Sequence, residues 1–504
     1  MVLILLAMIR HACTLDVGMK TPIAPCVIDT RFAEARRMFE LDRVGDAEAL
    51  LRELALHVPA REDIAMLLAA VLRSQGRLSA AAEVMWTLAE ATLFEANVAL
   101  RTATFARECD RHGIAARICE AALTRGAQAP ELFVLAGHVA RESGDFAAAR
   151  KHYLAALAAG IDLARHHVLG ALVNTKRYCD PADPDVARCS RQFRDVANSL
   201  QARAASGYAL AKIQNDLEDY ASAAGTLRDA NSLARSRNSW IAGAWRDLVA
   251  ARQRDHLAHA TMAMEPVFVP VFVVGIPRSG TTLTASLLAR GSGARDRGEL
   301  RALRFIADKL ISGGHLGNAA AMAEAASLYR TLAVQDDAPT VHYLDQDPLN
   351  FRYLHIAAAM FPQARVIHVR RDPRDTALSL WSQDFAHPDM AFAYDFADMA
   401  AFMEGHDALM RHWHASLRIP IYELDYEKLV THTEATLADL RNFIGAPARE
   451  PDHAKGDAPV QSASVWQARQ PVYKTSVGRW RHYVPYVPEL EHFVRSGELP
   501  DAML

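Results

Sequence analysis

No stretch of this 504-residue chain approaches the roughly 20 consecutive apolar residues that a membrane-spanning helix needs. The apolar start, Met1 to Ile9, lacks the basic residues that precede a secretory core. The chain is therefore expected to be soluble and cytoplasmic, with a truncated secretory start left open. Cysteine is scarce: all six (Cys13, Cys26, Cys109, Cys119, Cys179, Cys189) fall in the first half, without C-x-x-C or a histidine partner at zinc spacing. They read as reduced, structural thiols. Charge of one sign is absent too, since 56 Lys+Arg against 59 Asp+Glu leave −3, so no overall field favours nucleic acid or an anionic membrane. Twenty-five Gly and 22 Pro exclude collagen-like and wholly disordered classes. None of the 21 histidines forms a metal spacing, and no Gly-x-Ser-x-Gly elbow occurs. No metal is expected.

What is present divides the chain in two. The first 255 residues are Ala-rich and helical by period, and turn signals recur at Val44-Gly45-Asp46, Gln75-Gly76-Arg77, His112-Gly113-Ile114 and Ser143-Gly144-Asp145, separated by 31, 37 and 31 residues. A later unit turns at Glu218-Asp219, and Cys179 to Pro184, with two prolines, reads as a loop insertion. In the clearest copy, Pro130 to Asp162, small Gly137, Ala149 and Ala156 and bulky Tyr153 sit where tetratricopeptide repeats pack their paired helices. Ala211, Ala223 and Ala230 repeat the pattern. The segment 30–255 thus resembles that family, which implies a stacked solenoid with a curved surface for a protein or peptide. An irregular bundle is the alternative.

Near residues 256–268 the composition changes, and Pro266 and Pro270 end the helical pattern. Val271-Phe-Val-Val-Gly275, Arg365 to Arg370 and Ile419 to Glu423 are strand-like and alternate with helical segments at 281–290, 351–360, 374–381 and 432–443. The expected fold is a helical-repeat solenoid followed, over 269–504, by a P-loop-type α/β domain with a mostly parallel sheet.

Gly275-Ile-Pro-Arg-Ser-Gly280-Thr281-Thr282 follows the first strand and opens a helix. Gly275 and Gly280 let backbone N–H groups turn inward, and the helix start adds positive potential. A Walker A loop would carry Lys where Thr281 stands. A triphosphate is therefore disfavoured, and Arg278 can supply the cation for another 5′ anion.

Pro277 to Leu283 resembles the 5′-phosphosulfate loop of sulfotransferases that use 3′-phosphoadenosine 5′-phosphosulfate (PAPS), particularly the tyrosylprotein and bacterial repeat-containing branches. The likeness spans roughly 270–483. It implies that Arg278, Ser279, Gly280, Thr281 and Thr282 bind the 5′-phosphosulfate. Arg371 and Ser379, eight residues apart in Arg371-Asp-Pro-Arg-Asp-Thr-Ala-Leu-Ser379, keep the family spacing for the 3′-phosphate. A closing segment runs from Ser464 through Pro471-Val-Tyr473 to Ser476-Val-Gly-Arg479-Trp480; by the same likeness Ser464 contacts the phosphosulfate and Arg479 the 3′-phosphate. Tyr426 matches a position near the nucleotide, with a plain core tyrosine as the alternative.

The resemblance also implies a general base at Glu299, 21 residues after Arg278, and an acceptor-side contact at Arg301, for which a solvated charge is the alternative. Where the family carries a Lys that donates to the sulfuryl oxygens, Asp345-Gln346-Asp347-Pro348 carries Gln346. An amide still donates, but the lost charge removes roughly 2 to 4 kcal/mol of transition-state stabilisation unless Arg278 or Lys474 substitutes. His342, expected near the substrate edge, and His482 read as core or surface histidines.

The expected function is transfer of a sulfuryl group from PAPS to a hydroxyl, with a protein tyrosine as one acceptor. A catalytically weak PAPS-binding scaffold, a carbohydrate or small-molecule sulfotransferase and, less favoured, a P-loop kinase are the rivals. A homodimer is left open.

Overall fold

The computed structural model describes residues 24–258, 268–446, 448 and 476–493, apart from positions 238, 338 and 386. The described residues begin with eight helices in four antiparallel pairs: α1 (Pro25–Glu40), α2 (Val44–His57), α3 (Glu62–Ser74), α4 (Leu78–Ala91), α5 (Ala96–Glu108), α6 (His112–Thr124), α7 (Pro130–Glu142) and α8 (Phe146–Ala158). The turn inside each pair carries one residue at positive φ: Asp42, Gly76, Asp110 and Gly144. Each follows the last by 34 residues. Two of the expected turns were placed late, because Val44-Gly45-Asp46 and His112-Gly113-Ile114 begin helices. Asp42 and Asp110 themselves enter the left-handed region, which aspartate tolerates, so the nearby glycine is not the turning residue.

Packing explains the small residues. In α7, a Cβ on Gly137 would lie 2.5 Å from a ring carbon of Tyr153, whose fully buried side chain fills the gap between α7 and α8. Successive pairs are tied by Glu142, 2% exposed, which accepts from Arg107 at 2.6 Å and faces His112 at 3.0 Å. Burial alone would raise its pKa, but these partners outweigh it and hold the carboxylate down at about 2.

After α8 the period slips. Short α9 (Leu163–His166) and α10 (Val168–Val173) precede the Cys179–Pro184 loop and α11 (Pro184–Arg194); then α12 (Leu200–Asp216) and α13 (Tyr220–Arg235) pair around Glu218, also at positive φ. Glu218 lies 74 residues beyond Gly144, six more than two periods, which is the expected insertion.

With α14 (Ala242–Arg254) the helices merge into the second half. Trp245 stacks on Phe402 at 4.9 Å and donates its indole N–H to the Ala401 carbonyl; a Cβ on Gly405 would lie 2.3 Å from that nitrogen. Asn231 accepts from the Tyr208 hydroxyl at 2.8 Å and donates to the Trp381 carbonyl at 2.9 Å. One apolar cluster runs from Ala204 in α12 to Phe493.

Five strands form an all-parallel sheet in the order β2-β3-β1-β4-β5: β1 (Val269–Gly275), β2 (Arg295–Asp296), β3 (His342–Asp345), β4 (Arg365–Arg370) and β5 (Ile421–Asp425). The shared cluster covers one face, and a second cluster, under α15 (Thr281–Arg290) and α22 (Thr433–Ile444), covers the other. Pro270, expected to end the helical pattern, lies inside β1, where its missing N–H costs little at the strand's start. β5 starts two residues later than expected, after Pro420. β2 and β3 were not anticipated.

From β1 the chain moves first to one side of the sheet, to β2 and β3, and then to the other, to β4 and β5. The crevice outside the C-terminal ends of β1 and β4 is thus the switch point where ligands bind in open α/β sheets.

Candidate functional site

At that crevice Gly275 pairs with Val369 so closely that a Cβ on it would meet the Val369 carbonyl oxygen at 2.5 Å and Ser279 Oγ at 2.8 Å. Gly280, at φ +110°, caps α15 without a side chain, and a Cβ there would lie 2.4 Å from the Tyr426 ring. Between them Arg278 holds φ +75°, a left-handed conformation that costs a non-glycine residue roughly 1 kcal/mol or more. The strained backbone aims the arginine across the crevice, where its Nε donates to Ser379 Oγ at 3.1 Å. Ser379 belongs to α19 (Pro373–Trp381), whose N-cap Asp372 accepts from the Arg374 N–H.

Arg371, just past β4, donates from Nη1 to the Arg278 carbonyl at 3.0 Å and from Nη2 to the Ser476 carbonyl at 2.8 Å. Its guanidinium lies 4.8 Å from the centre of the Tyr426 ring, and the Tyr426 hydroxyl hydrogen-bonds to Ser476 Oγ at 2.9 Å. Tyr426 begins α21 (Tyr426–Thr431), directly after β5. Two buried polar atoms here, Ser279 Oγ and Arg371 Nε, have no protein hydrogen-bond partner. Buried polar groups are rarely left so, and with the uncapped start of α15 they form a cradle for an anion.

The segment from Ser476 closes the crevice through Asp375. Its carboxylate accepts from the Gly478 N–H at 2.6 Å and the Trp480 N–H at 2.9 Å, and Arg374 lies 4.0 Å from the centre of a Trp480 ring. Arg479 turns the other way, donating to Asn215 of α12 at 3.0 Å. Ser464 and Lys474 lie outside the described residues.

Glu299 stands beyond β2, on the β3 side of the crevice. Asp345, at the end of β3, accepts from the Leu300 N–H at 3.3 Å, the Asp347 N–H at 3.2 Å and the Tyr329 hydroxyl at 2.9 Å, while the Gln346 N–H donates to the Gly298 carbonyl at 2.9 Å. One buried carboxyl thus clamps the loop carrying Glu299 to the turn carrying Gln346. Glu299 is exposed to solvent, yet neighbouring protein crowds its carboxyl. That crowding first, and the Asp347 charge second, push its pKa up to about 7 against the opposing pull of Arg301 and Arg278. Gln346 is 3% exposed, and its Oε1 has no protein partner; both polar atoms of nearby Asn350 are likewise buried and unpartnered.

Arg278, Ser279, Gly280, Thr281, Thr282, Arg371, Ser379 and Tyr426 therefore converge at the crevice, and Glu299, Arg301 and Gln346 line the neighbouring edge. His342 does not reach the substrate side: it pairs with Val269, at the N-terminal end of the strands. His482 stacks on Tyr220 at 4.9 Å. Sequence reasoning missed Ser476, Asp375 and Asp345. Ser476 lay three residues before the arginine that drew attention, and Asp345 opened a motif read only for its missing lysine. Among the described residues, no helix is long and apolar enough to cross a membrane.

Fold and crevice together define an α/β domain with unpartnered polar atoms and an uncapped helix start at a strand–loop–helix junction. Residues 270–450 match the sulfotransferase family. An uncharacterized protein of Aquifex aeolicus is 31% identical over 322 residues, 59% of this chain and 42% of its own length, so the chain spans less than half of that relative. Among solved structures, the sulfotransferase domain of the Synechococcus olefin synthase is similar over 50% of this chain and 94% of its own, at 19% identity and a TM-score of 0.33. A Mycobacterium tuberculosis sulfotransferase covers 63% of this chain and 98% of its own, at 12% identity and a TM-score of 0.25.

Proposed function

We propose that the chain transfers a sulfuryl group from PAPS to a hydroxyl acceptor. The observation that carries this reading is the convergence of Arg278, Ser379, Arg371 and Ser476 around two unpartnered buried atoms, Ser279 Oγ and Arg371 Nε, beneath the uncapped start of α15. A 5′-phosphosulfate fits the glycine-lined loop, where a Cβ at 275 or 280 would collide with Val369 or Tyr426, and a 3′-phosphate fits the Arg371 and Ser379 side. PAPS supplies an activated sulfuryl group on a phosphate that leaves readily.

The residues then have separate tasks. Glu299, whose raised pKa suits a base near neutral pH, takes the acceptor's hydroxyl proton as that oxygen bonds to sulfur. The bond from sulfur to the 5′-phosphate oxygen breaks, and adenosine 3′,5′-bisphosphate leaves. Arg278 and the loop N–H groups stabilise the charge that develops, without rearranging. The segment from Ser476 keeps water out, and Gln346 donates a neutral hydrogen bond to the sulfuryl oxygens.

The acceptor we infer is a polypeptide tyrosine, held by the helical pairs, whose 34-residue period and Gly137–Tyr153 packing support the tetratricopeptide likeness; by the family likeness Arg301 would contact an acidic residue beside that tyrosine. Calorimetry with adenosine 3′,5′-bisphosphate tests the reading: binding is expected, and its persistence after Arg278→Ala together with Arg371→Ala overturns it. Labelled PAPS with cell lysate then identifies the acceptor. Gln346 favours one second reading, a PAPS-binding scaffold of low turnover. Gln346→Lys separates the two, because sulfate transfer seen only in the variant supports the scaffold.

A further inference from the structure

A second cluster of polar side chains lies at the edge of the sheet, where the proposed transfer makes no use of it. His368 on β4 and Glu423 on β5 are register partners. His414 sits in the last turn of α20 (Phe396–Ser416), which reaches the two strands through His406 and His414. His368 Nδ1 lies 2.8 Å and His414 Nε2 2.5 Å from the same oxygen, Glu423 Oε1, and the three donor atoms fall within 4.8 Å of one another. The other carboxylate oxygen faces Arg370 Nε at 3.8 Å.

Behind the cluster the contacts run on. His368 Nε2 lies 3.3 Å from His406 Nε2, and His406 Nδ1 lies 2.9 Å from Asp407 Oδ1. Counting hydrogens along this line exposes a deficit. The contacts Asp407–His406, His406–His368 and His368–Glu423 each need one N–H, and two neutral imidazoles bring two. If both direct Nδ1–H at the carboxylates, two bare lone pairs face each other at Nε2. A third proton, or a cation in its place, is needed. His406 is 2% exposed, and placing the charge there would bury an imidazolium.

We propose that His368 Nδ1, His414 Nε2 and one oxygen of Glu423 bind a divalent late transition metal, Zn2+ by preference. A cation at His368 Nδ1 removes the deficit: His368 Nε2–H donates to His406 Nε2, and His406 Nδ1–H donates to Asp407. This is the carboxylate–histidine backing that orients metal-bound imidazoles. Two imidazoles and a carboxylate suit Zn2+, Co2+ or Ni2+ rather than Mg2+ or Ca2+. Metal–ligand bonds of about 2.0 to 2.1 Å in a tetrahedron set the donors about 3.3 Å apart, so Glu423 need withdraw by less than about 1 Å. Its side chain is 37% exposed and that of His414 39%, which leaves a path for entry and room for a water as fourth ligand. Arg370 on the second oxygen keeps the carboxylate monodentate. The sequence could not show this set, because its members come from two strands and a helix with no common spacing.

The test uses the full chain without an affinity tag, stripped with chelator and titrated with Zn2+ against a chromophoric chelator. One equivalent is expected to bind tightly; His414→Ala, at an exposed position, and Glu423→Gln should each weaken it by about 100-fold, and Asp407→Asn by about 10-fold. Co2+ should give visible tetrahedral bands without the thiolate absorption that cysteine ligands produce. Absence of stoichiometric binding, or binding and Co2+ spectra unchanged in both His414→Ala and Glu423→Gln, overturns the proposal. Since adenosine 3′,5′-bisphosphate binding is read separately, failure here leaves the nucleotide site standing.

Discussion

Single residues decide the proposed nucleotide site. Gly280 is fixed by its φ of +110° and by the Tyr426 ring, so Gly280→Ala drives a methyl into an aromatic that also anchors Ser476. Calorimetry with adenosine 3′,5′-bisphosphate should show binding weakened at least about tenfold, the equivalent of roughly 1.4 kcal/mol. Glu299 makes opposite demands on rate and stability. As a base it must be ionised, and its pKa near 7 means that kcat/KM should climb through neutral pH and level off above about pH 8. Glu299→Gln should remove that limb and lower kcat by roughly 10² to 10⁴, with nucleotide binding retained. For stability the sign reverses: a carboxyl whose pKa is raised by folding holds its proton more tightly in the native state, so stability falls as pH rises from about 4.3 through 7. The same variant should therefore melt higher than the parent at pH 8, in a thermal scan.

At the scale of elements, the crevice depends on a short hinge. Asp375 holds two backbone N–H groups of the segment from Ser476. Each buried donor left unpaired costs roughly 1 to 3 kcal/mol. Asp375→Ala should accordingly speed release of adenosine 3′,5′-bisphosphate and expose residues 476–480 to protease. The same elements show what the sequence made legible. β1 and β4 were readable as short β-branched runs buried on both faces, and the loop from Gly275 to Thr282 because its parts are contiguous. β3, His342–Asp345, was not, since a buried histidine and a buried carboxyl give it polar ends; β2 has two residues and no pattern to read. Tyr426, Ser476 and Asp375 meet across the sheet through tertiary contacts that no local spacing encodes. The turns of the helical pairs were displaced where aspartate took the left-handed position usually sought in glycine.

In the whole molecule, the helical half reaches the crevice by two routes. Arg111, before α6, contacts Asp336 and Asp337, and Asp337 holds Arg297 in the loop that carries Glu299. Asn215 of α12 accepts from Arg479 and from the Tyr483 hydroxyl, bracing the segment that borders the crevice. Acid should loosen this framework from the repeats inward. The Glu142 carboxylate, held at about 2 by His112 and Arg107, stabilises the fold above its unfolded pKa of about 4.3 and loses that contribution as pH falls toward 2. Roughly 3 kcal/mol is at stake. Thermal melts at pH 7, 4 and 2.5 should show a steep decline that Glu142→Gln flattens from an already lower start.

Because one apolar cluster passes from α12 through Trp245 into the ground beneath the sheet, the helices are a wall of the sheet's own core and not a handle attached to it. A chain severed between residues 255 and 269 would leave Trp245 without Phe402 on one fragment and a raw aromatic floor on the other. Neither piece should stay in solution by itself, and scanning calorimetry of the intact protein should place the loss of α12–α14 and of the sheet in one shared endotherm.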